Sequence, residues 1–354
     1  MFAPLLAVLA AATAPGVSEL SAPVASDRGG AVAYLRAEGA SATLFVVRAG
    51  RTTRIGPAAR TGPVAQWSPD GRSLAYRDGR SRLVVTGPSG RRVLEPMPLV
   101  GSFAWSPRSD RVAYLVRVSA GEVELRVVLA DGSGRRRVTS DHDLLALAWS
   151  ADGRSLAYTA ITTEAFSDVL EDIRVVPAKG GTSVGFVSVG SKQVTCCLAW
   201  SPTGAIVYAV ADKVGGAARS PVPYLTRAPT RGDPGTRLLP RGIPVAFSSR
   251  GRLLMQRGDR IVLLSSGGGT LASFAGSDPA WSPTGDRIVF HRGGRVVVAR
   301  ADGTAPRVVA PGRNASWTGV DALVFQRTGC GARAGIHTVV LGGEPRRVAA
   351  ARAC

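Results

Sequence analysis

The chain has 354 residues, with 44 Lys or Arg against 25 Asp or Glu, and its formal net charge is +19. The basic residues are almost all arginines, spread along the whole chain without an aromatic-interleaved basic cluster, so nucleic acid is excluded as an expected partner. No long apolar stretch follows the first residues, and no transmembrane segment is therefore predicted.

The N-terminus is typical of a secretory leader. Met1 to Thr13 is a short apolar run, and Ala10-Ala11-Ala12 offers a small-x-small cleavage site. We therefore predict a signal peptide and leader over residues 1–20, followed by a single domain over residues 21–354. The expected location is secreted, periplasmic or at the cell envelope.

A repeated phrase fills the remaining sequence. Its clearest copy is Trp67-Ser68-Pro69-Asp70-Gly71, followed two residues later by Leu74-Ala75-Tyr76. Ser26 to Tyr34 matches Ser68 to Tyr76 without a tryptophan. The other copies centre on Trp105, Trp149, Trp200, Phe247, Trp281 and Trp317. A period of about forty residues indicates a repeat architecture, in which each unit must stack on its neighbours to bury its apolar side chains.

The order of elements within one repeat predicts four short strands. An apolar run ends at Trp, Ser-Pro-Asp-Gly makes a tight turn, and two further β-prone runs and a fourth with a basic start follow. Such a unit is one blade of a propeller. The fold class is therefore all-β, a β-propeller of four-stranded antiparallel blades. We expect eight blades, with seven as the alternative if residues 15–25 complete the last blade.

The residue before the aromatic ring is small in six of the seven copies that carry Trp or Phe. Successive side chains of a strand point to opposite faces, so each inner strand presents a ring on one face and a small group on the other. We interpret the tryptophans as core packed between neighbouring blades rather than as a ligand site.

The repeat resembles the TolB-type propeller repeat, a relative of the WD-repeat blade. The resemblance rests on Trp67 to Gly71, Trp105 to Pro107, Trp149 to Gly153, Trp200 to Gly204 and Trp281 to Gly285. It covers nearly the whole chain after the leader. It implies the blade architecture and little about activity, because members range from periplasmic interaction scaffolds to the propeller halves of prolyl-oligopeptidase-like hydrolases.

Four cysteines fit an oxidising compartment. The strand count of the last blade places Cys330 and Cys354 at the same face, so a disulfide between them is predicted to hold the C-terminal strand. The adjacent Cys196 and Cys197 are either two small buried apolar side chains or a vicinal disulfide. No Cys or His spacing typical of a metal site occurs.

A binding face is predicted around the fourth and fifth blades. The linker into the fourth blade carries Asp141, His142 and Asp143, and an insertion at 162–172 follows in that blade. The fifth blade has a second insertion, 212–226, which carries Tyr224. Long loops on a rigid scaffold often hold function. The insertion at 162–172 contributes the candidate residues Glu164, Asp168, Glu171 and Asp172.

These carboxylates would suit Ca²⁺, but solvation or pairing with nearby arginines is the favoured interpretation, so no metal and no cofactor are predicted.

Two further signals for catalytic chemistry are weak. Gly181 to Gly185 matches Gly-x-Ser-x-Gly without a helix behind it, and is interpreted as a chance match. The histidines His142, His291 and His337 lie in separate blades.

With no catalytic set evident, the sequence predicts a non-catalytic secreted propeller, not an enzyme. It would act as a monomeric binding scaffold for a protein or an anionic cell-envelope component. The alternative is a propeller enzyme, a hydrolase or lyase acting on a peptide or glycan at the mouth of the channel, for which convergent His and carboxylate groups would be needed.

Overall fold

The computed structural model describes residues 19–20, 23–26, 28, 30–38, 41–60, 64–163, 169–190, 192–214, 217–226, 235–238, 241–327 and 334–350. Every regular element in these ranges is a β-strand, and no helix long and apolar enough to cross a membrane occurs among them. The predicted leader lies almost wholly outside the described residues. Contacts divide the chain into two compact units, one within residues 97–273 and the other made of residues up to 96 and from 274 onward.

The strands occur in consecutive groups that follow the repeat. The first two blades contain β1 (Glu19–Leu20), β2 (Val24–Ala25), β3 (Ala31–Glu38), β4 (Ser41–Arg48) and β5 (Arg51–Pro57), then β6 (Ala65–Trp67), β7 (Leu74–Arg77), β8 (Arg82–Gly87) and the start of β9 (Gly90–Trp105). The third and fourth contain the rest of β9, β10 (Arg111–Ser119), β11 (Glu122–Leu129) and β12 (Arg136–Asp141), then β13 (Asp143–Trp149), β14 (Ser155–Thr163), β15 (Val169–Pro177) and β16 (Val184–Val189).

The second half of the chain continues the same pattern. The fifth and sixth blades contain β17 (Gln193–Trp200), β18 (Ile206–Val214), β19 (Ala217–Thr226) and β20 (Thr236–Arg237), then β21 (Ile243–Phe247), β22 (Leu253–Arg257), β23 (Arg260–Leu264) and β24 (Thr270–Ala275). The seventh and eighth contain β25 (Ser277–Trp281), β26 (Arg287–Arg292), β27 (Arg295–Arg300) and β28 (Arg307–Pro311), then β29 (Arg313–Trp317), β30 (Ala322–Arg327), β31 (Gly335–Val340) and β32 (Arg346–Ala350).

These strands form seven hydrogen-bonded antiparallel sheets. The sheet from β6 to β12 has seven strands because β9 serves two repeats, pairing with β8 and with β10. The all-β propeller with four-stranded antiparallel blades is thus confirmed, with eight repeats in seven sheets. Because β1 and β2 both pair with β3, the described residues before Ala31 belong to the first sheet and not to the last.

The hydrophobic core lies between blades, as the Trp pattern predicted. Trp149 packs with the apolar side chains of the third and fourth blades, and Trp200 with those of the fourth and fifth. Each indole N–H is also hydrogen-bonded: Trp149 donates to Ala104 O at 3.0 Å and Trp200 to Ala148 O at 3.2 Å. The acceptor is the small residue that precedes the previous tryptophan. This second role of the small residue was not predicted from the sequence.

The same bond occurs in the other unit and confirms the first, Trp-free copy. Trp317 donates to Ala280 O at 3.2 Å, and Trp67 donates to Val24 O at 3.0 Å. Val24 holds the position before the missing tryptophan when Ser26 is aligned with Ser68. The first and last blades pack together in this unit, where Gln326 Nε2 donates to Leu20 O at 2.9 Å.

Five of the six tryptophans are followed by a serine whose hydroxyl accepts a backbone N–H of the next turn, and Thr318 follows Trp317. Ser150 is buried, accepts the backbone N–H of Ser155 at 2.9 Å, and donates to Asp152 Oδ1 at 2.6 Å. Ser68 and Asp70 repeat this arrangement, with Gly71 in the left-handed region at a φ of 74°. The sequence pattern predicted the roles of Pro, Asp and Gly in this turn, whereas the serine as its buried centre was missed.

Replacing the turn serine should destabilise the protein. Ser150→Ala leaves the N–H of the half-buried Ser155 without its side-chain acceptor, and the carboxylate of Asp152 keeps the N–H of Arg154 but loses the serine hydroxyl. We therefore expect a loss of about 1–3 kcal/mol in the free energy of unfolding by urea denaturation. Ser119→Ala, at an exposed strand end of the same unit, is the control and should change stability little. Equal stability of the two variants would contradict the assigned role.

The turn carboxylates should make stability depend on pH. The hydroxyl of Ser150 and the N–H of Arg154 hold the pKa of Asp152 below its usual 3.8. Its ionised form therefore stabilises the folded state, and this contribution is complete above the usual pKa and is lost as pH falls below it. Asp152→Ala should destabilise most near pH 7 and progressively less below pH 3.8, as measured by urea unfolding across that range. A pH-independent effect would contradict this linkage.

Candidate functional site

The described parts of the two insertions, which were predicted as loops, extend the strands of two hairpins. The β14–β15 pairing continues to Thr163 and Val169, and the β18–β19 pairing to Val214 and Ala217. The β-branched residues Ile161, Thr162 and Thr163 favour this continuation, because they fit a pleated sheet better than a loop. Glu164 and Asp168 lie outside the described residues, as do Cys330 and Cys354. The binding role of the two carboxylates and the disulfide between the two cysteines therefore stay predictions.

The remaining acidic candidates of the fourth blade lie beside arginines. Arg174 Nη1 is 2.8 Å from Asp141 Oδ2, and Arg174 Nη2 is 2.6 Å from Asp172 Oδ2. Burial alone would lower the pKa of Arg174, but the hydrogen bond to Asp172 and the charge of Asp141 raise it above its usual value. Asp143 accepts a hydrogen bond from Arg117 Nη2 at 3.1 Å. The structure thus brings Asp141 and Asp172 together on the one guanidinium group of Arg174.

Glu171, the remaining acidic candidate in the described residues, is bonded to the next blade and not to an arginine. It is buried, and it accepts hydrogen bonds from the backbone N–H of Thr195, at 2.9 Å, and from the Thr195 hydroxyl. Because Glu171 lies on β15 and Thr195 on β17, these bonds join the fourth blade to the fifth. Within the described ranges, no group of three or more His, Cys, Asp or Glu side chains is arranged to hold a metal ion.

Two of the three histidines, His291 and His337, are buried, and their ring nitrogens make hydrogen bonds. His291 Nδ1 is 3.3 Å from Asp278 Oδ2, and His291 Nε2 lies 3.2 Å from the backbone nitrogen of Ala315. Since Nε2 accepts that N–H, the proton is on Nδ1, where it lowers the pKa of Asp278. This Asp–His pair resembles the orienting half of a catalytic triad, but its Nε2 already holds a backbone group.

The other two histidines differ in exposure. The buried His337 ring stacks on Phe325 with ring centres 5.7 Å apart, and burial lowers its pKa. His142 is exposed, and its backbone N–H, not its ring, is bonded to Asp141 Oδ1 at 2.9 Å. His142 is therefore the one histidine whose ring faces solvent; all three lie in described ranges.

The Gly-x-Ser-x-Gly match is not a nucleophile elbow. Residues 181–183 have no regular structure, and β16 begins immediately afterwards at Val184. An elbow requires a strand, a sharp turn and then a helix, which would raise the serine above a sheet. Here a strand takes the place of the helix, as expected from the sequence.

Tyr224, the fifth-blade candidate, lines a cavity of about 230 Å³. Its ring stacks on Tyr208 with centres 5.5 Å apart and an interplanar angle of 12°. We call this cavity the fifth-blade pocket. Its lining residues are Gln193, Val210, Asp212, Val222, Tyr224, Arg237 and Arg241. The sequence pointed to Tyr224 and to the region around Asp212, but it gave no signal for the two arginines.

Comparison with protein-family models and with curated proteins finds no match for the sequence. The fold, in contrast, matches many solved structures. A structure from a study of two prolyl endopeptidases is 13% identical, with a TM-score of 0.56, covering 91% of this chain and 54% of that one. A puromycin-hydrolyzing peptidase from Mycobacterium tuberculosis is 18% identical, with a TM-score of 0.55, covering 87% and 58%.

The β-propeller domain of the trilobed protease from Pyrococcus furiosus is 12% identical, with a TM-score of 0.51, covering 94% of this chain and 98% of that domain. The chain spans about half the length of the first peptidases it matches, at 54% and 52%. At these identities the likeness shows the β-propeller fold. Several of these structures are peptidases, which contradicts the prediction of a non-catalytic binding scaffold without enzyme activity.

Removing the side chain of Arg174 should destabilise the fourth blade, because the carboxylates of Asp141 and Asp172 would then repel each other. Arg174→Ala leaves Asp141 and Asp172 without their shared cation. Because these side chains are partly buried, we expect the free energy of unfolding to fall by about 1–3 kcal/mol, between the values for exposed and buried ion pairs. Arg154→Ala, at an exposed turn position of the same blade, is the control. A double variant with Asp141→Asn should recover part of the loss; no recovery would contradict the assigned repulsion.

Proposed function

We propose that this protein is a propeller-type hydrolase that acts on peptides. The observation that carries the proposal is the fold similarity to propeller-bearing peptidases, over 87–94% of this chain. The reaction class is amide hydrolysis: water adds to the peptide carbonyl carbon, the C–N bond breaks, and the departing amine takes a proton.

Such a reaction benefits from a general base or acid near the reacting bond, which contributes about 10²–10⁴-fold to the rate. His142 is the histidine proposed for this role, because the ring nitrogens of His291 and the ring of His337 are held within the protein. Asp141 and Asp143 flank it, and both are held in place by arginines. The proposal thus retains the sequence candidates Asp141, His142 and Asp143 as one segment.

The finer features predicted from the sequence belong to the same proposal. The blades are proposed to be of the TolB type, on the strength of the repeated Trp-Ser-Pro-Asp-Gly phrase at Trp67 to Gly71. A secreted or periplasmic location is proposed from the apolar run at Met1 to Thr13. A monomeric state, and a protein or anionic cell-envelope component as partner, stay predictions.

The direct test is peptide cleavage by the purified full-length protein. We expect hydrolysis of at least one member of a panel of fluorogenic peptides with acylated and free N-termini and with proline or other residues before the scissile bond. Heat-unfolded protein serves as the control. Absence of cleavage across the panel by correctly folded protein would refute the proposal.

His142→Ala should lower kcat/KM by about 100-fold or more without changing the unfolding midpoint, because the ring is exposed. His291→Ala is the contrasting variant: its ring connects Asp278 to the backbone of Ala315, so we expect a lower midpoint but an unchanged kcat for the folded protein. Full activity in the His142 variant would exclude this residue as the base while leaving the reaction class open to the cleavage assay.

A further inference from the structure

The fifth-blade pocket has a defined origin in strand register. Tyr224 lies opposite Tyr208 on one side and opposite Arg237 on the other. Val210 lies opposite Val222, and Gln193 lies opposite Asp212. Directly paired residues share a face of an antiparallel sheet, so these side chains form one continuous surface. It is the face that carries Tyr208 into the core shared with the fourth blade.

Backbone geometry brings the arginines to this surface. Gly235 precedes β20 with a φ of 78°, and a Cβ atom there would lie 2.5 Å from Leu225 O. Only glycine therefore allows β20 to approach β19 closely enough to pair Arg237 with Tyr224. Arg241 follows shortly afterwards in the chain and lines the same cavity.

The charge of the pocket is not balanced. Arg237 and Arg241 are both exposed, and in the described part of the chain neither has a carboxylate within ion-pairing distance. Asp212 is the one acidic residue of the lining, and its Oδ1 accepts from Gln193 Nε2 at 3.2 Å. Two cations against one carboxylate leave a net charge of +1. Arginines of the fourth blade, such as Arg174, are instead neutralised by aspartates.

The size of the cavity limits what it can hold. Its volume of about 230 Å³ lies below the ~300–1,000 Å³ of sites that enclose drug-sized ligands. One end of a ligand fits, with an anionic group and a short apolar side chain. The planar guanidinium group matches a carboxylate with two parallel hydrogen bonds, and Val210 and Val222 supply an apolar wall beside it.

We propose that the fifth-blade pocket binds a carboxylate attached to a short aliphatic group, with Arg237 and Arg241 as the cationic ligands of its oxygens. The carboxylate is that of a peptide C-terminus or of a free small acid. The inference does not depend on the proposed hydrolase activity, since it concerns binding alone.

The test is calorimetric titration of the full chain at low ionic strength with matched acids and amides. The probes are Ala-Ala-Leu and its C-terminal amide, and 4-methylpentanoate and its amide. We expect each acid that binds to do so at least about tenfold more tightly than its amide, and added salt to weaken that binding. Tighter binding of the tripeptide identifies a peptide C-terminus as the source, and tighter binding of 4-methylpentanoate identifies a free acid.

Two variants and a control assign the binding to this pocket. Arg237→Gln and Arg241→Gln should each weaken binding of the acid about tenfold or more, while Arg250→Gln, an exposed arginine of a turn in the same unit, should leave it unchanged. Unfolding midpoints should match in all three, because these side chains are exposed. No binding of either acid, equal binding of acid and amide, or equal effects of the three variants would overturn the proposal. None of these outcomes bears on peptide cleavage, which the hydrolysis assay measures separately.

Discussion

A hydrogen bond from the indole of Trp67, Trp149, Trp200 or Trp317 to the blade before it recurs along the repeat. The tryptophan of one blade packs into the neighbouring sheet, and its N–H must find an acceptor there, since a buried donor without a partner is costly. The acceptor is the carbonyl of the residue preceding the previous tryptophan, as with Ala104 for Trp149 and Ala148 for Trp200. One short segment therefore provides both the ring for one neighbour and the acceptor for the other.

A second constraint acts where each inner strand reverses direction. The buried serine after the tryptophan holds an N–H four or five residues ahead, and its hydroxyl proton needs an acceptor. That acceptor varies: Asp152 is two residues after Ser150, whereas Asp110 is four residues after Ser106. Thr203 contacts Ser201 in the fifth blade. The turn requires an acceptor oxygen at this point rather than one residue type, so the aspartate of the phrase is replaced in several copies, whereas the residue after the tryptophan always carries a hydroxyl, as Ser or as Thr318.

Ion pairs distinguish the acidic residues of the fourth blade from the arginines of the fifth-blade pocket. Arg174 and Arg117 form ion pairs with Asp141, Asp172 and Asp143, which fixes these three carboxylates in place. Glu171 joins the fourth blade to the fifth through Thr195. A chain with 44 Lys or Arg and 25 Asp or Glu leaves many basic side chains without a carboxylate, and Arg237 and Arg241 are distinguished by lining the fifth-blade pocket together.

The amino-acid sequence by itself determined the blade, the core position of the tryptophans and the tight turns, because these depend on local alternation and on residues a few positions apart. It left open whether the blades number eight or seven. Only the tertiary structure decided that the insertions extend hairpins, that His291 is bonded on both nitrogens, and that Arg237 meets Tyr224. Such contacts join residues that pair across strands, such as Asp278 with His291 and Ala315, and depend on register, bulges and blade-to-blade packing. Local sequence patterns carry little information about them, since shifting one strand by a residue reverses which side chains share a face.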